Sequence, residues 1–501
     1  MSNSLKELRW QSWCDEAFDE AKTKNKAMFI SIGYQSCHWC RIMEEKIFKD
    51  KEFIEIFNEN FVCIKVDKDE RPDIDRYYQE VHLLLNNRVG GWPTSIFATP
   101  QNKPFFAGTY IPLESEEGSI EGMGLIALGR LISHKVREND ENLYKNADEV
   151  EEFLQKIKHP KQATVLNEDF VKNFMHQAKN NYETRYGGFS SPPKFPHANT
   201  LATLMVIDRL YNDKAAKAMV LHTLKSMDKG DIHDVQNGGF YRYAKDEMWK
   251  EPCREKTLYD NALLAEVYLD AYLLYKEREF FVTAKKTIDF WIDSMSMENL
   301  LFQYVYEDTI NKRIQTTHSA MMIKTLFKLG EIDKTYRQKA VDILAKLMDT
   351  LYVDSKLYSS TLLKHPPKTE AFLGDYAFLS QSLIYAYRST QNESYLIEAQ
   401  RFANKSLEKF YQNGVWFFSD NEFKTKMDTT DNIYTSAVSV MVDVLISLSE
   451  ILKDDKYRHF AYKTLEYNSY DLGQKPIFFP SMLTQMLRYL KKNCNNSFFW
   501  V

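Results

Sequence analysis

Length, composition and charge exclude several classes of protein before any motif is considered. The chain has 501 residues, of which 44% are hydrophobic and 27% are charged, with only 17 Gly and 14 Pro. This balance is typical of globular domains and excludes disordered and collagen-like chains. The formal net charge is −5 and the basic residues are scattered, so we expect neither a nucleic acid nor a membrane as a partner.

The N-terminal residues and the cysteines indicate the compartment. Residues 1–13 lack the apolar core of a signal peptide, and no apolar run in the sequence is long enough to span a membrane. Six cysteines with a single close pair, Cys37 and Cys40, do not form the pattern of a disulfide-stapled domain. The sequence therefore predicts a cytoplasmic protein, whose thiols are kept reduced.

The first part of the chain, residues 1–158, alternates between strand and helix patterns. Helices are predicted at 41–58, at 74–85 and, in one or two pieces, at 125–158, and buried strands at 27–32, 61–66, 94–98 and 105–108. The order of these segments predicts an α/β domain in which helices cover a small sheet. Residues 159–167 are polar, contain Pro160 and are predicted to form a linker.

The second part, residues 165–501, shows about twelve helical segments and almost no strand pattern. Loops rich in Gly or aromatic residues, such as those at Gly187, Gly238 and Gly414, follow every second helix and recur roughly every 57 residues. Six stacked helical hairpins are the expected result. They can close into an all-α (α/α)6 toroid around a central cavity or remain an open solenoid, and the spacing does not choose between these two.

A cysteine motif lies between a predicted strand and a predicted helix. It reads Cys37-His38-Trp39-Cys40. The N-terminus of a helix stabilises an anion, so a thiolate at Cys37 is favoured there, and a protonated His38 would add to the effect. We expect Cys37, at the exposed end, to attack a disulfide and Cys40 to resolve the mixed disulfide. A zinc site would need two further ligands, which the sequence does not supply, so neither a metal nor a cofactor is predicted.

A second motif, Gly90-Gly91-Trp92-Pro93, precedes the 94–98 strand. In thioredoxin-like folds a cis-proline at this place lies beside the cysteine pair and helps to dock the substrate, and Pro93 is the candidate. Trp39, Trp92 and His38 are then expected to support the redox site. Because thioredoxin-like folds are often kept for binding alone, thiol turnover and simple binding both stay open.

Dense motifs over residues 10–112 resemble the spermatogenesis-associated thioredoxin-like family. Besides the two motifs above, the resemblance is carried by Ser31-Ile32-Gly33-Tyr34, Ile64-Lys65-Val66-Asp67, Glu70-Arg71-Pro72-Asp73-Ile74-Asp75 and Pro104-Phe105-Phe106-Ala107-Gly108-Thr109-Tyr110. Segments farther along the chain are similar to the family at lower density, namely Pro193-Lys194-Phe195-Pro196-His197, Leu258-Tyr259-Asp260-Asn261-Ala262 and Asp375-Tyr376-Ala377-Phe378.

The resemblance implies that the second part is an (α/α)6 barrel similar to those of sugar epimerases and glycosidases, with a site at the mouth of its cavity. It therefore favours the toroid over the open solenoid. Two positions where relatives commonly carry His are Tyr241 and Cys253 here, and Thr317-His318 replaces a Trp-Asn pair. These departures remove side chains that relatives carry at the barrel site.

Sugar chemistry needs paired carboxylates or an acid–base group beside aromatic faces. The predicted ligand-binding residues of the barrel are Arg242, Tyr243, Trp249, Glu255, Lys256, Tyr259, Asp260, His318 and Asp375, with Asp431 as a further carboxylate and Trp416 as a further ring. Structural roles are the alternative, because Asp260 can cap a helix, Asp375 can bind loop backbone and the aromatic rings can fill the cavity.

The sequence thus predicts a thiol–disulfide oxidoreductase or a redox-sensitive binding protein that uses Cys37 and Cys40. Its partners would be a protein thiol or disulfide and a small molecule, such as a sugar, in the toroid. Two alternatives stay open. One is a sugar epimerase or glycoside-processing enzyme with an architectural thioredoxin-like domain, and the other is a noncatalytic scaffold.

Overall fold

The computed structural model describes residues 7–34, 37–88, 90–115, 123–155, 163–307 and 309–491. The chain divides into two compact units, of which unit 1 comprises Met1–His159 with Asn421–Thr425 and unit 2 comprises Pro160–Asp420 with Lys426–Val501. Unit 1 is α/β and unit 2 is mainly helical. None of the helices in the described ranges is long and apolar enough to cross a membrane.

Unit 1 is built on a five-stranded mixed sheet. Its strands are β1 Trp10–Gln11, β2 Ala27–Gly33, β3 Phe61–Asp67, β4 Thr94–Ala98 and β5 Pro104–Gly108. Their order is β1-β3-β2-β4-β5. Strands β1, β3 and β2 are parallel, whereas β4 and β5 are each antiparallel to the neighbour before them. All four predicted strands are present, and β1 is a short edge strand that the sequence pattern did not indicate.

Strand β2 lies at the centre of this sheet and is buried on both faces. Phe29 packs on one face among Phe53 and Phe57, and Ile30 belongs to the cluster on the other face together with Tyr78. A strand covered on both sides needs a continuous apolar run, and β2 supplies one.

Within the described residues of unit 1, six α-helices cover the sheet: α1 Asp15–Lys24, α2 His38–Lys46, α3 Lys51–Asn60, α4 Pro72–Asn86, α5 Leu125–Arg137 and α6 Glu141–Gln155. The single helix predicted over 41–58 is in fact two, α2 and α3. The break occurs at Asp50, whose Oδ1 accepts hydrogen bonds from the backbone N–H groups of Glu52 (2.9 Å) and Phe53 (3.0 Å). A capping carboxylate starts a new helix at this point.

A segment distant in sequence completes unit 1. Phe423 is buried with its ring centroid 5.2 Å from that of Trp13, and Asn421 Nδ2 donates a 2.8 Å hydrogen bond to Asp73 Oδ2. Local sequence patterns gave no sign of this arrangement, because nothing in the pattern around Phe423 distinguishes it from other loop aromatics.

Unit 2 contains twelve α-helices within the described residues, in agreement with the predicted number. They are α7 Asp169–Asn181, α8 Ala198–Tyr211, α9 Lys214–Lys229, α10 Leu258–Tyr275, α11 Arg278–Asp289, α12 Thr316–Ile332, α13 Thr335–Leu351, α14 Leu373–Thr390, α15 Glu393–Phe410, α16 Ala437–Leu452, α17 Asp455–Gln474 and α18 Pro480–Leu490.

Alternate helices of unit 2 form a closed inner ring. Helix α8 packs on α10, α10 on α12, α12 on α14, α14 on α16, α16 on α18, and α18 on α8 again. The helices α9, α11, α13, α15 and α17 each pair with the inner helix before them. Helices α12, α14 and α16 are buried along almost their whole circumference, as a ring covered by an outer layer requires. This closure is the toroid, and it excludes the open solenoid.

The repeated glycine loops have a common steric reason. Gly238 and Gly414 have φ angles of 92° and 90°. A Cβ at these positions would lie 2.8 Å from the carbonyl oxygen of Lys286 and 2.7 Å from that of Lys463, in outer helices α11 and α17 respectively. Only glycine combines the left-handed backbone with so close a contact.

The second part is mainly helical, as the sequence predicts, and short antiparallel strands lie in the loops between its helices. Among the residues that the structure describes, the longest of these strands is Lys356–Leu362. Most of them have only two or three residues, which is too short for an alternating pattern to be visible in a sequence.

The capping role of Asp50 at the α2–α3 break can be tested by substituting this residue. We expect Asp50→Ala to lower the free energy of unfolding by about 1 kcal/mol, because two backbone N–H groups lose their acceptor. Asp50→Asn keeps an acceptor oxygen and should retain most of the stability. Urea unfolding followed by far-UV circular dichroism measures both, and equal losses for the two variants would contradict the capping role.

Candidate functional site

The cysteine motif lies where strand β2 leads into helix α2. Cys37 and Cys40 are joined by a disulfide, with their Cα atoms 5.2 Å apart. Cys37 is the N-cap of α2, and its Sγ accepts a 3.1 Å hydrogen bond from the backbone N–H of Cys40. The predicted context of strand, dithiol and helix is therefore confirmed, and the sulfur of Cys37 sits where the helix N-terminus stabilises negative charge.

The expected exposure of the two cysteines is reversed. Cys37 is only 5% exposed, whereas Cys40 is partly exposed and lines a surface cleft. The sequence placed Cys37 at the exposed end because it comes first at the helix start, but local position does not fix which sulfur faces outward. The side chain of His38 lies outside the described residues.

Pro93 lies in a cis peptide with Trp92 and lines the same cleft as Cys40. This confirms the predicted cis bond. Trp92 Nε1 donates a 2.8 Å hydrogen bond to Asp75 Oδ1, and Lys68 Nζ lies 4.6 Å and 5.0 Å from the ring centroids of Tyr34 and Trp92. Burial raises the pKa of Asp75, although the Trp92 N–H opposes this by stabilising the carboxylate.

The cleft beside Cys40 has a volume of about 690 Å³. It opens at the carboxyl ends of β1, β3 and β2, the edge at which parallel sheets commonly bind ligands. Its walls combine apolar and charged side chains, among them Trp10, Met43, Phe48, Arg41, Glu44, Lys65, Asp67 and Glu70. Lys65 Nζ and Glu44 Oε2 form an ion pair of 2.5 Å.

The remaining residues of the motif and the other cysteines have distinct surroundings. Trp39 is 52% exposed, and its ring centroid lies 5.0 Å from that of Tyr110, so it presents an aromatic face beside the disulfide. Cys63 is buried in β3, and burial raises the pKa of its thiol far above the usual value. A buried thiol of this kind is inert, whereas Cys494 lies outside the described residues.

Unit 2 has a separate cavity at the mouth of the barrel, with a volume of about 480 Å³. Three of the predicted polar candidates, Arg242, Asp260 and Asp431, line it. Burial raises the pKa of Asp260 to about 7 and that of Asp431 to about 6. The geometry therefore brings together two carboxyl groups that are less acidic than usual and one guanidinium.

Asp260 and Asp431 differ in how their oxygens are used. Asp260 Oδ2 accepts a 2.6 Å hydrogen bond from Thr257 Oγ1 and lies 3.9 Å from Arg242 Nε. Both oxygens of Asp431 accept backbone N–H groups at 2.7 Å, from Ser436 and Ser481. Both oxygens of Asp431 are thus occupied by the backbone, so Asp260 is the carboxyl group better placed to contact a ligand.

Three predicted residues support this mouth without lining it. Glu255 Oε2 accepts a 3.1 Å hydrogen bond from Arg242 Nη1, and the ring of Tyr259 lies 6.0 Å from the Arg242 guanidinium. Tyr243 packs on Phe195, with ring centroids 5.1 Å apart. The three side chains orient the groups that do line the cavity.

The structure corrects the placement of several other candidates, all of which are buried away from the mouth. Trp249 is fully buried, its Nε1 donates to Tyr186 O at 3.0 Å, and Lys194 Nζ lies 4.8 Å from its ring centroid. Lys256 is buried and donates to Asp234 Oδ2 and to Gly238 O, each at 2.8 Å. These two residues hold loops in place.

The other three misplaced candidates are Asp375, His318 and Trp416. Asp375 accepts hydrogen bonds from Thr317 Oγ1 (2.7 Å) and the Phe372 N–H (3.0 Å), as its structural alternative predicted. His318 is buried against the ring of Tyr259. The Nε1 group of the buried Trp416 donates to Thr464 Oγ1 at 2.9 Å.

The rim of the mouth carries exposed apolar residues, here called the lip, which the sequence did not predict. Phe195, Ile433 and Phe478 line the cavity and are each exposed, with Phe478 54% exposed. Phe195 lies in a segment that resembles the family, which was its only signal. The described residues hold no group of three or more His, Cys, Asp or Glu side chains arranged to bind a metal ion.

The raised pKa of Asp260 predicts how the stability of the protein changes with pH. Its folded value of about 7 exceeds the usual value of about 4, so the native state binds the proton more tightly. The resulting stability is fully present below about pH 4 and is lost as the pH rises through about 7. Asp260→Asn should therefore gain stability relative to the unmodified chain between about pH 5 and pH 8.

Urea midpoints at a series of pH values measure this difference. The exposed Asp349 provides the matched control, and Asp349→Asn should show no such gain. A difference between Asp260→Asn and the unmodified chain that stays constant with pH would show that Asp260 is charged throughout.

Comparison with known proteins supports the resemblance read from the sequence. Residues 2–155 match the family described as "Thioredox_DsbH: Protein of unknown function, DUF255". Spermatogenesis-associated protein 20 from Homo sapiens and from Mus musculus are each 35% identical, over 59% and 58% of this chain. These matches span only 38% and 37% of the two relatives. Uncharacterized protein B0495.5 from Caenorhabditis elegans is 26% identical over 96% of this chain and 83% of its own length.

Solved structures share the helical fold. A sugar epimerase from a ruminal bacterium has a TM-score of 0.56 at 12% identity and covers 66% of this chain and 98% of its own. The GH76 alpha-mannanase BT2949 from Bacteroides thetaiotaomicron has a TM-score of 0.52 at 16% identity and covers 65% and 96%. At such identities the likeness shows the fold alone. Residues 2–155 thus match the model of the DUF255 family, and the helical part has the (α/α)6 fold of sugar epimerases and glycosidases.

Proposed function

We propose that the protein is a thiol–disulfide oxidoreductase that acts on a protein thiol or disulfide through Cys37 and Cys40. The observation that carries the proposal is the 3.1 Å hydrogen bond from the Cys40 N–H to Cys37 Sγ at the N-terminus of α2. Such a bond stabilises a thiolate, and the thiolate is the reactive form of cysteine. The match of residues 2–155 to a thioredoxin-like family supports the same chemistry.

The reaction balances without a cofactor. The Cys37 thiolate attacks one sulfur of the partner's disulfide, whose S–S bond breaks and whose other sulfur leaves as a thiolate that takes up a proton. Cys40 then loses its proton and attacks Cys37 Sγ, which releases the second partner thiol and leaves the Cys37–Cys40 disulfide. Two electrons pass to the partner, and a second dithiol returns the pair to its reduced form. A cytoplasmic location would favour that reduced form.

The surroundings of the disulfide suit a protein partner. The cleft of about 690 Å³ provides apolar walls and both signs of charge next to Cys40, and the exposed Trp39 adds an aromatic face. Exposure alone favours Cys40 as the attacking sulfur, whereas the hydrogen bond favours Cys37. We assign the attack to Cys37, because reactivity follows the stability of the thiolate.

Single cysteine variants test this function and the assignment together. Cys40→Ser should react through Cys37 with a peptide that carries a mixed disulfide with thionitrobenzoate, and the peptide should remain bound as a stable mixed disulfide. The pH dependence of thionitrobenzoate release should give a Cys37 pKa below the free-thiol value of about 8.5.

Cys37→Ser is the matched control and should release thionitrobenzoate slowly. A bound peptide on Cys37→Ser but not on Cys40→Ser would exchange the two roles. No bound peptide on either variant, with a pKa of 8.5 or higher, would contradict oxidoreductase function.

We further propose that the barrel mouth binds a carbohydrate. The observation that favours this second function is the combination, in one cavity, of Asp260 and Arg242 with the exposed apolar lip of Phe195, Ile433 and Phe478. Ligand cavities characteristically combine apolar walls with a few polar groups that fix orientation. The shared fold of a sugar epimerase and a mannanase adds support.

Calorimetric titration with D-mannose and with cellobiose tests the mouth. We expect saturable binding of at least one of them, and Asp260→Asn should weaken it by roughly 10-fold, because one carboxyl oxygen is replaced by an amide NH2 group that cannot accept a hydrogen bond from the ligand. Asp349→Asn is the control and should bind as the unmodified chain does. Absence of saturable binding, or equal weakening by both variants, would contradict a carbohydrate site at Asp260.

A further inference from the structure

A second, smaller cavity lies on the barrel axis next to the mouth. It has a volume of about 130 Å³ and is walled by side chains from all six inner helices, α8, α10, α12, α14, α16 and α18. Ala198, Asn199 and Leu263 line both this cavity and the mouth. Asn199 Oδ1 accepts a 2.8 Å hydrogen bond from Thr435 Oγ1 at the junction. We call this inner cavity the shaft, and the three shared residues place it directly next to the mouth.

Charged side chains of two neighbouring helices line or adjoin the shaft, and they pair with each other. Lys324 Nζ lies 2.6 Å from Glu266 Oε2, and Lys328 Nζ lies 3.2 Å from Glu266 Oε1 and 2.5 Å from Asp270 Oδ1. Two ammonium groups therefore face two carboxylates. Because these charges already pair with each other, an ion that entered the shaft would have no opposite charge to pair with. Burying an unpaired charge away from water costs free energy.

Neutral polar atoms complete the wall. Ser439 is 1% exposed and lines the shaft. Within the part of the chain that the structure describes, Ser439 Oγ and the buried Gln485 Oε1 have no hydrogen-bond partner. A buried polar group without a partner is rare in folded proteins and calls for a ligand or a solvent molecule that supplies one. The wall offers a hydroxyl, which both donates and accepts, and an amide oxygen, which accepts.

We propose that the shaft is a subsite for the neutral, hydroxyl-rich end of a ligand that enters through the mouth, a polyol or the polyol-like end of a sugar. The proposal rests on the carbohydrate function proposed for the mouth. Hydroxyl groups match the wall because each can donate to Gln485 Oε1 and accept from Ser439 Oγ or Lys324. A space of about 130 Å³ has room for several water molecules, which suits a chain of a few hydroxylated carbons.

The wall chemistry also excludes other ligand classes. A hydrocarbon would leave Ser439 Oγ and Gln485 Oε1 without hydrogen bonds, and a carboxylate or an amine would unbalance the paired charges. Neutral polyols are the class that satisfies the wall without adding charge.

Calorimetry with sorbitol and D-mannose as neutral probes and with glucuronate as the charged probe tests the subsite. Ser439→Ala should weaken sorbitol binding roughly 5-fold, the loss expected for one hydrogen bond. Ala202→Leu, which fills the shaft from α8, should weaken it more than roughly 10-fold. Glucuronate should bind at least roughly 10-fold more weakly than sorbitol.

Ser380→Ala is the matched control. Ser380 is also fully buried on an inner helix and, among the described residues, its Oγ has no partner, but it does not line the shaft. This variant should bind sorbitol as the unmodified chain does. Circular dichroism and thermal unfolding establish that each variant is folded, and Ser439→Ala keeps the test usable if Ala202→Leu fails to fold.

Three outcomes would overturn the proposal. One is no saturable binding of sorbitol, which would mean that the shaft holds solvent only. Another is binding that Ser439→Ala and Ser380→Ala affect equally. If Asp260→Asn weakens D-mannose binding while Ser439→Ala and Ala202→Leu leave it unchanged, the mouth site stands and the shaft subsite is rejected.

Discussion

The position of the dithiol depends on one constraint, which is the burial of strand β2 on both faces. Because side chains alternate between faces, a slip of one residue would exchange the packing of Phe29 and Ile30, so the end of β2 is fixed. Gly33 ends the strand, and a Cβ there would lie 2.8 Å from Cys40 Sγ. The absence of a side chain at Gly33 lets the strand end approach the disulfide, and α2 then begins with Cys37 as its cap.

Helix α4 holds the loop that carries Pro93 in the redox site. Asp75 accepts the Trp92 N–H, and Gln79 Nε2 donates to Thr94 Oγ1 at 2.9 Å. Thr94 in turn donates to Gly91 O at 2.8 Å. These bonds fix the loop that carries Pro93 on both of its sides. The loop therefore depends on a helix that precedes it by a few residues only, which explains why the motifs lie so close together in the sequence.

In unit 2, closure of the inner ring imposes a different constraint, which is how side chains fill the space inside the ring. Six helices around an axis leave space that side chains must fill, and this barrel fills part of it with polar groups. Lys328 is buried among the ring helices and Glu266 and Asp270 are half-buried beside it, and each would be destabilising without its partners. Pairing between α10 and α12 satisfies them and leaves the lumen polar but neutral. This neutral, polar lining is the feature on which the proposed shaft subsite rests.

The sequence alone determined the features that depend on local pattern. The four main strands, the twelve barrel helices, the dithiol at the start of a helix and the cis-proline position all follow from periodicity, turn residues and short motifs. These signals are local because backbone conformation and burial of a face are imposed by residues that are close in the chain. The α2–α3 break also has a local signal, the cap at Asp50, but this residue lies within a continuous amphipathic run that predicts a single helix.

Only the tertiary structure decided which polar and aromatic side chains face a cavity. Trp249 and Asp260 lie in the same loop-to-helix region, but Trp249 is covered by Lys194 and Tyr186, whereas Asp260 lines the mouth. Likewise Cys37 and Cys40 share one motif but differ in exposure. The direction of each side chain is set by packing against residues far away in sequence, and such contacts leave no trace in a local pattern.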